Sequence, residues 1–186
     1  MHVKSTPVAR GGIFTALAVI SIILASVFSF STLFFLVIAA CFTAFAYSFS
    51  DIRFGLSALA AGAILGFLLS PQKGIIFTYI GIAVYLILAQ VIERHFYDKG
   101  MLKYWGLKCL VFNALFWGLF FIAVGVAGFS GLFSARAINY FNSLSVKWVF
   151  VLGLVVVIEV LFVVVDRLFF MVRNRLEDVI RNTDNQ

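Results

Sequence analysis

Six long apolar runs follow one another along this chain, separated by short polar connections. A helix needs about 20 mainly apolar residues to cross the hydrocarbon core of a bilayer. The runs predict an all-α integral membrane protein, a bundle of six transmembrane helices in one domain of residues 1–186. The predicted spans are approximately residues 11–28, 33–49, 54–69, 75–92, 109–129 and 148–170, followed by a tail at residues 171–186.

The composition indicates lipid as the solvent of this chain. Hydrophobic residues make up 63% of the 186 residues and charged residues only 12%, against roughly 25% charged residues in a soluble domain. A small soluble fold could not cover so much apolar surface, because a large share of any small domain remains surface. The lipid bilayer is therefore the first expected partner.

The basic residues flank the apolar runs and predict the orientation. With the N-terminus in the cytoplasm, the inside segments hold eleven of the 14 lysines and arginines. The outside segments hold the other three, Lys73, Arg136 and Lys147. In membrane proteins the cytoplasmic loops carry the excess of positive charge. We therefore expect a multi-pass protein of the cell membrane with both termini in the cytoplasm. No basic patch is interleaved with aromatics, so no nucleic-acid partner is expected.

The chain shows little sign of enzyme chemistry. Gly128-Phe129-Ser130-Gly131 matches the GxSG of rhomboid-type intramembrane proteases, whose chemistry needs a histidine base in another span. The histidines, His2 and His95, lie in polar segments. No spacing of metal ligands and no phosphate-binding glycine loop is present. We therefore expect no catalytic residue, no metal and no cofactor, and any active transport must draw its energy from a partner or an ion gradient.

Three polar residues within the apolar runs stand out. Glu159 has no charged residue within six positions on either side, and Asp166 follows on nearly the same helical face. Asn113 in the fifth span lies at a depth similar to that of Glu159, roughly 8 and 12 Å from the inner ends of their helices. A carboxyl group at this depth should face the bundle interior or a cavity, or be protonated. We predict a hydrogen bond between Asn113 and Glu159, with a role in transport or gating as the alternative.

Polar and aromatic residues in the outer connections are candidates for binding a small molecule. A mainly apolar pocket with a few oriented polar groups is typical of such sites. An ordinary solvated loop is the alternative. The candidate residues are Thr32, Gln72, Lys73, Arg136, Asn139, Tyr140 and Asn142.

Small residues recur at three- and four-residue steps in two spans. In lipid such stripes let helix backbones approach closely. The third span has Gly55, Ala58, Gly62 and Gly66, for which internal packing is the expected role. The first span has Gly12 and Ala16, and then a second series of Ala18, Ser21 and Ala25. These residues could pack internally or dock against another membrane subunit.

The chain resembles the substrate-binding S components of energy-coupling factor (ECF) transporters. The likeness lies in the small-residue first span (Gly12-Ile-Phe-Thr-Ala16-Leu-Ala18), in residues 47–55 before an Ala/Gly-rich third span, and in a fourth span that ends in a charged loop. It implies a vitamin- or precursor-binding subunit energised by partner ATPase subunits. It also implies that Ala16, Ala18 and Ser21 contact a transmembrane coupling subunit, with ligand held near the outer side.

Two other functions remain open on the sequence. A non-catalytic scaffold of the cell envelope, like the rod-shape-determining six-span family, has a similar length and an Ala/Gly-rich middle. An intramembrane enzyme is disfavoured by the absence of a base that could reach Ser130.

Overall fold

The computed structural model describes residues 5–28, 30–49, 52–70, 74–97, 100–127, 143 and 147–184. These residues form six helices and no strand, which confirms an all-helical chain. The helices are α1 (Ser5–Val27), α2 (Thr32–Phe49), α3 (Ile52–Leu69), α4 (Ile75–Phe96), α5 (Met101–Ala127) and α6 (Lys147–Asp184).

Five of these helices are long and apolar enough to cross a membrane. The segments that meet this description are Val8–Val27, Thr32–Phe49, Ile52–Leu69, Ile75–Phe96 and Met101–Ile122. The helix α6 is not among them, so the count of six spans and the orientation of the termini stay predictions.

The charged stretch after the fourth span is mostly helical, where the sequence suggested a loop. The helix α4 continues to Phe96 and α5 already begins at Met101, not at the predicted residue 109. Gly100, directly before α5, has a φ angle of +107°. Residues other than glycine rarely adopt this backbone conformation. The helix ends differ from the predicted span limits because hydropathy reports where apolar residues end, whereas the hydrogen bonds of a helix continue through polar residues.

The last helix extends well past its apolar run. With 38 residues at about 1.5 Å each, α6 is about 57 Å long, nearly twice the hydrocarbon thickness of a bilayer. The helix therefore includes most of the segment that the sequence analysis assigned to a tail, as far as Asp184. Within the tail, Arg173 Nε lies 3.2 Å from Glu177 Oε1, one helical turn away.

The chain divides into two compact units, Met1–Leu115 and Phe116–Gln186. In the first unit α1, α2, α3 and α4 all contact one another, and α2 packs most extensively against α1 and α4. Its inward positions are small, which lets the neighbouring backbones approach: Ala39, Ala40, Ala44 and Ala46 are fully buried. Phe14 of α1 packs its ring against the α2 rings of Phe42, Phe45 and Phe49, at centroid distances of 6.5, 5.9 and 5.8 Å.

The small-residue stripe of α3 packs inside the first unit, as predicted. A Cβ added to Gly66 would lie 2.9 Å from Ile76 Cδ1 and 3.0 Å from Ile22 Cγ2, closer than ordinary contact. A Cβ on Gly62 would overlap the hydroxyl of Tyr79. A larger residue at either position would therefore force a side chain of a neighbouring helix to move. The buried positions of α3 are Gly55, Ala58, Gly62 and Gly66.

Candidate functional site

An open groove of about 640 Å³ runs between α1 and α3 on the surface of the first unit. Small residues and longer apolar side chains of both helices line it. The lining residues are Val8, Gly11, Gly12, Thr15, Ala16, Val19 and Ile20 of α1, with Phe54, Ser57, Ala58, Ala61 and Leu65 of α3.

The polar side chains of the groove are bonded to their own helices. Thr15 Oγ1 donates a hydrogen bond to the Gly11 carbonyl at 2.8 Å. Ser57 Oγ donates to the Phe54 carbonyl at 2.9 Å. Because these hydroxyls are used within the helix, the groove presents an essentially apolar surface. Such a surface suits a transmembrane helix or an acyl chain better than a polar metabolite.

Two of the four predicted interface residues lie on the open side of this groove. Gly12 and Ala16 are exposed, one helical turn apart on α1. A Cβ added to Gly12 would meet no atom of the described chain within 4 Å. Unlike Gly62, Gly12 is therefore not kept small by a neighbour within the described chain.

The other two predicted interface residues face inward. Ala18 is fully buried and Ser21 is 5% exposed, with its Oγ donating to the Leu17 carbonyl at 2.8 Å. The reason is helical geometry: positions 12 and 16 share a face, whereas two further residues rotate the side chain by about 200°. The stripe seen in the sequence thus divides between an outer and an inner face of α1.

The intramembrane polar residues lie on α5 and α6. Asn113 Nδ2 donates to the Cys109 carbonyl at 3.0 Å, one turn earlier on α5. Glu159 is half-buried, whereas Asp166 is only 1% exposed. The apolar neighbours of Glu159 drew attention to it in the sequence, but Asp166 is the more buried carboxyl group. Asn113 and Glu159 belong to different units, so their hydrogen bond stays a prediction.

Of the predicted ligand-binding residues, only Thr32 is described. It is the first residue of α2, and its Oγ1 donates to the Phe28 carbonyl at 3.4 Å. The others, Gln72, Lys73, Arg136, Asn139, Tyr140 and Asn142, lie outside the described residues. The outer pocket therefore stays a prediction.

One buried polar contact was not predicted from the sequence. Thr43 of α2 and Tyr79 of α4 are both fully buried, and their hydroxyl oxygens lie 2.8 Å apart. A signal was present in the third span, because Gly62 faces the Tyr79 hydroxyl directly. The contact between Gly62 and Tyr79 could not be predicted without knowing that α3 and α4 are neighbours.

Metal ligands, among the described residues, and similarity to known proteins, across the sequence, would be two further indications of function. Within the described ranges, no group of three or more His, Cys, Asp or Glu side chains could hold a metal ion. Function has to be inferred from the groove and from the distribution of charge. Comparisons with protein-family models, with curated proteins and with solved structures give no match.

Proposed function

We propose that the chain is the membrane-embedded substrate-binding subunit of a small-molecule uptake transporter, energised by partner ATPase subunits. On this proposal a transmembrane helix of a coupling subunit packs into the groove between α1 and α3. The observation that carries the proposal is the exposure of Gly12 and Ala16 in an apolar groove. The resemblance of the first span to that of ECF S components supports the same assignment.

Close packing at small residues is what holds helices together in lipid. Because lipid tails are as apolar as leucine, helix association there depends on van der Waals contact, which small residues increase by bringing backbones closer. The exposed small residues of α1 offer such a contact surface. The proposed interface therefore consists of Gly12 and Ala16, and leaves out the inward-facing Ala18 and Ser21.

The proposal includes six spans, with α6 as the sixth, and both termini in the cytoplasm of the cell membrane. The described basic residues of the first unit lie towards the end where α1, α3 and α5 begin and α2 and α4 finish. The positive-inside rule assigns that end to the cytoplasm. The ligand would bind towards the opposite end, where Thr32 lies. The basic residues are Arg10, Arg53, Arg94, Lys103 and Lys108.

Filling the groove tests the proposed partner interface. Ala16→Leu is expected to lower the recovery of a coupling subunit and its ATPases about tenfold, a loss equivalent to about 1.4 kcal/mol of binding energy. The added side chain would occupy the space of the partner helix. Recovery is measured by affinity purification from native membranes and quantitative mass spectrometry.

The matched control for this variant is Ala60→Leu, the same change at an exposed position of α3 outside the groove. It should leave the recovery unchanged. Equal recovery from Ala16→Leu and wild type would refute the interface. Recovery of cell-wall machinery in place of ATPases would favour the scaffold function.

Binding of a metabolite tests the substrate-binding role independently. One vitamin or precursor should raise the free energy of unfolding by about 2.7 kcal/mol at 100 times its dissociation constant, because it binds only the folded protein. A thermal-shift screen of purified protein in detergent measures this effect. Ala16→Leu should respond like the wild type, since the groove and the ligand end are separate. No stabilisation across a broad panel would contradict the substrate-binding role.

A further inference from the structure

The turn between α1 and α2 presents phenylalanine rings to its surroundings. Its described residues are Phe28, Phe30 and Ser31, and Phe34 follows in the first turn of α2. Phe30 is fully exposed, and Phe28 and Phe34 are 53% and 63% exposed. The ring of Phe35 contacts those of Phe28 and Phe34, at centroid distances of 5.9 and 5.6 Å. Water would be an unfavourable solvent for these rings, because each of them exposes a large apolar area.

The α1–α2 turn lies in the longest uncharged stretch of the chain. No Asp, Glu, Lys, Arg or His occurs between Arg10 and Asp51. The connection between α4 and α5 is different, because Glu93, Arg94 and Lys103 flank it. Charged side chains that favour an aqueous position are therefore present near one connection and absent from the other.

The lengths of α1 and α2 place this turn at the edge of the hydrocarbon core. The apolar segments Val8–Val27 and Thr32–Phe49 have 20 and 18 residues. At about 1.5 Å per residue they extend over about 30 and 27 Å, and the hydrocarbon core is about 30 Å thick. Crossing the core uses both segments over their whole length, so neither can carry the turn far into the aqueous phase.

The backbone of the turn also suits the membrane boundary. The Phe28 N–H donates to the Leu24 carbonyl at 2.9 Å, and the Ser31 N–H donates to the Phe28 carbonyl at 3.0 Å. The Phe35 N–H donates to the Ser31 carbonyl at 3.1 Å. Polar backbone groups beside lipid need partners within the protein, because acyl chains offer none. These three donors have such partners, so the turn can approach acyl chains without losing hydrogen bonds to water.

Another protein surface could also cover exposed rings. Protein interfaces combine an apolar core with a polar rim that carries hydrogen bonds. The α1–α2 turn offers little of this kind, since Thr32 Oγ1 beside it already donates to the Phe28 carbonyl at 3.4 Å and no charged residue is near in the sequence. Acyl chains require only apolar surface, and they surround any helix pair that spans a membrane. Lipid is therefore the occupant that this surface fits best.

We propose that the α1–α2 turn is an interfacial anchor, with the rings of Phe28, Phe30 and Phe34 inserted among the acyl chains just below the lipid headgroups. Interfacial segments bury their apolar side chains about 5–10 Å into this boundary. The inference rests on α1 and α2 crossing a membrane. It needs neither the transport role nor the orientation of the chain, so a protein that recovers no ATPase and binds no metabolite would still show it.

Fluorescence quenching of a probe on the turn tests this placement. Phe30→Cys is labelled with a fluorophore in a chain that also carries Cys41→Ser and Cys109→Ser, and the protein is placed in phosphatidylcholine nanodiscs, which expose both membrane faces. Quenching by aqueous iodide should be about tenfold weaker than for the same label on Lys103→Cys, because a phenylalanine side chain prefers apolar surroundings by about this factor. Lipids with a nitroxide near the headgroup should quench the label more strongly than lipids with a nitroxide near the end of the acyl chain.

The controls separate lipid insertion from a local disturbance. Lys103→Cys carries the label at an exposed position of the charged α4–α5 connection. Phe34→Cys provides a second label position beside the turn and should reproduce the quenching pattern of Phe30→Cys. Gel-filtration elution and helical circular dichroism equal to those of the wild type show that each labelled variant is folded.

Three results would overturn the anchor. Iodide quenching at position 30 as strong as at position 103 would place the turn in water. Protection from iodide without quenching by either lipid label would show that protein, such as a second copy of the chain, covers the turn. Stronger quenching by the nitroxide near the end of the acyl chain would place the turn deep in the hydrocarbon core, which contradicts an interfacial position.

Discussion

Gly62→Ala is expected to lower the free energy of unfolding by about 3 kcal/mol, measured by reversible denaturation in mixed micelles. The added methyl group would overlap the hydroxyl of Tyr79, which is fully buried and 2.8 Å from Thr43 Oγ1. Overpacking a well-packed core costs about 1–3 kcal/mol. Displacing Tyr79 would add the loss of its hydrogen bond, about 1 kcal/mol.

Two further variants show whether this contact is the cause. Gly12→Ala is the same change where a Cβ would meet nothing within 4 Å of the described chain, so no loss of stability is expected. Tyr79→Phe removes the hydroxyl and leaves Thr43 bonded to the Ala39 carbonyl at 3.1 Å. In that background Gly62→Ala should cost less than about 1 kcal/mol. Full additivity of the two changes would disprove the proposed overlap.

Gln90→Ala is also expected to cost about 3 kcal/mol of unfolding free energy, since it removes both buried volume and hydrogen bonds. The Gln90 side chain is fully buried in α4. Its Nε2 donates to the Ala44 carbonyl of α2 at 3.1 Å, and its Oε1 accepts a hydrogen bond from Ser48 Oγ. This amide therefore bonds α4 to α2 at two points.

A comparison with Gln90→Met separates the two contributions. Methionine keeps most of the volume and loses the hydrogen bonds, so the expected cost is about 1 kcal/mol, close to values measured between helices in membranes. Ser48→Ala should also cost about 1 kcal/mol, because it removes the hydroxyl that donates to the buried Gln90 Oε1 and keeps the other hydrogen bonds of Gln90. A cost for Gln90→Ala no larger than that for Ser48→Ala would show that Gln90 does not stabilise the α2–α4 contact.

The candidate site could be predicted only in part from the sequence. Spacing identified Gly12, Ala16, Ala18 and Ser21 only as small residues that could pack internally or dock against a partner. The structure buries Ala18 and Ser21. Four-residue steps identify a shared face of a helix. They do not say whether that face meets lipid, a partner or a neighbouring helix. Gly62 and Gly12 look alike in the sequence, and only the position of Tyr79 distinguishes them.

The burial of the polar residues was likewise not predictable from the sequence. Glu159 was conspicuous because its neighbours are apolar, whereas Asp166 is the more deeply buried of the two. Burial depends on what packs against a helical face, and this information is not contained in the local sequence. The contact of Thr43 with Tyr79 joins residues 36 positions apart and depends entirely on the pairing of α2 with α4.

The sequence by itself determined that the chain is helical and rich in segments of membrane-spanning length, because each apolar run is long enough to require a solvent other than water. It also determined the charge asymmetry that predicts the orientation. The tertiary structure decided where the helices end, as at Gly100, whose positive φ turns the chain before the next helix. It also decided which small residues are enclosed and which line the open groove, because only the packing of α1 against α3 fixes which face of each helix remains uncovered.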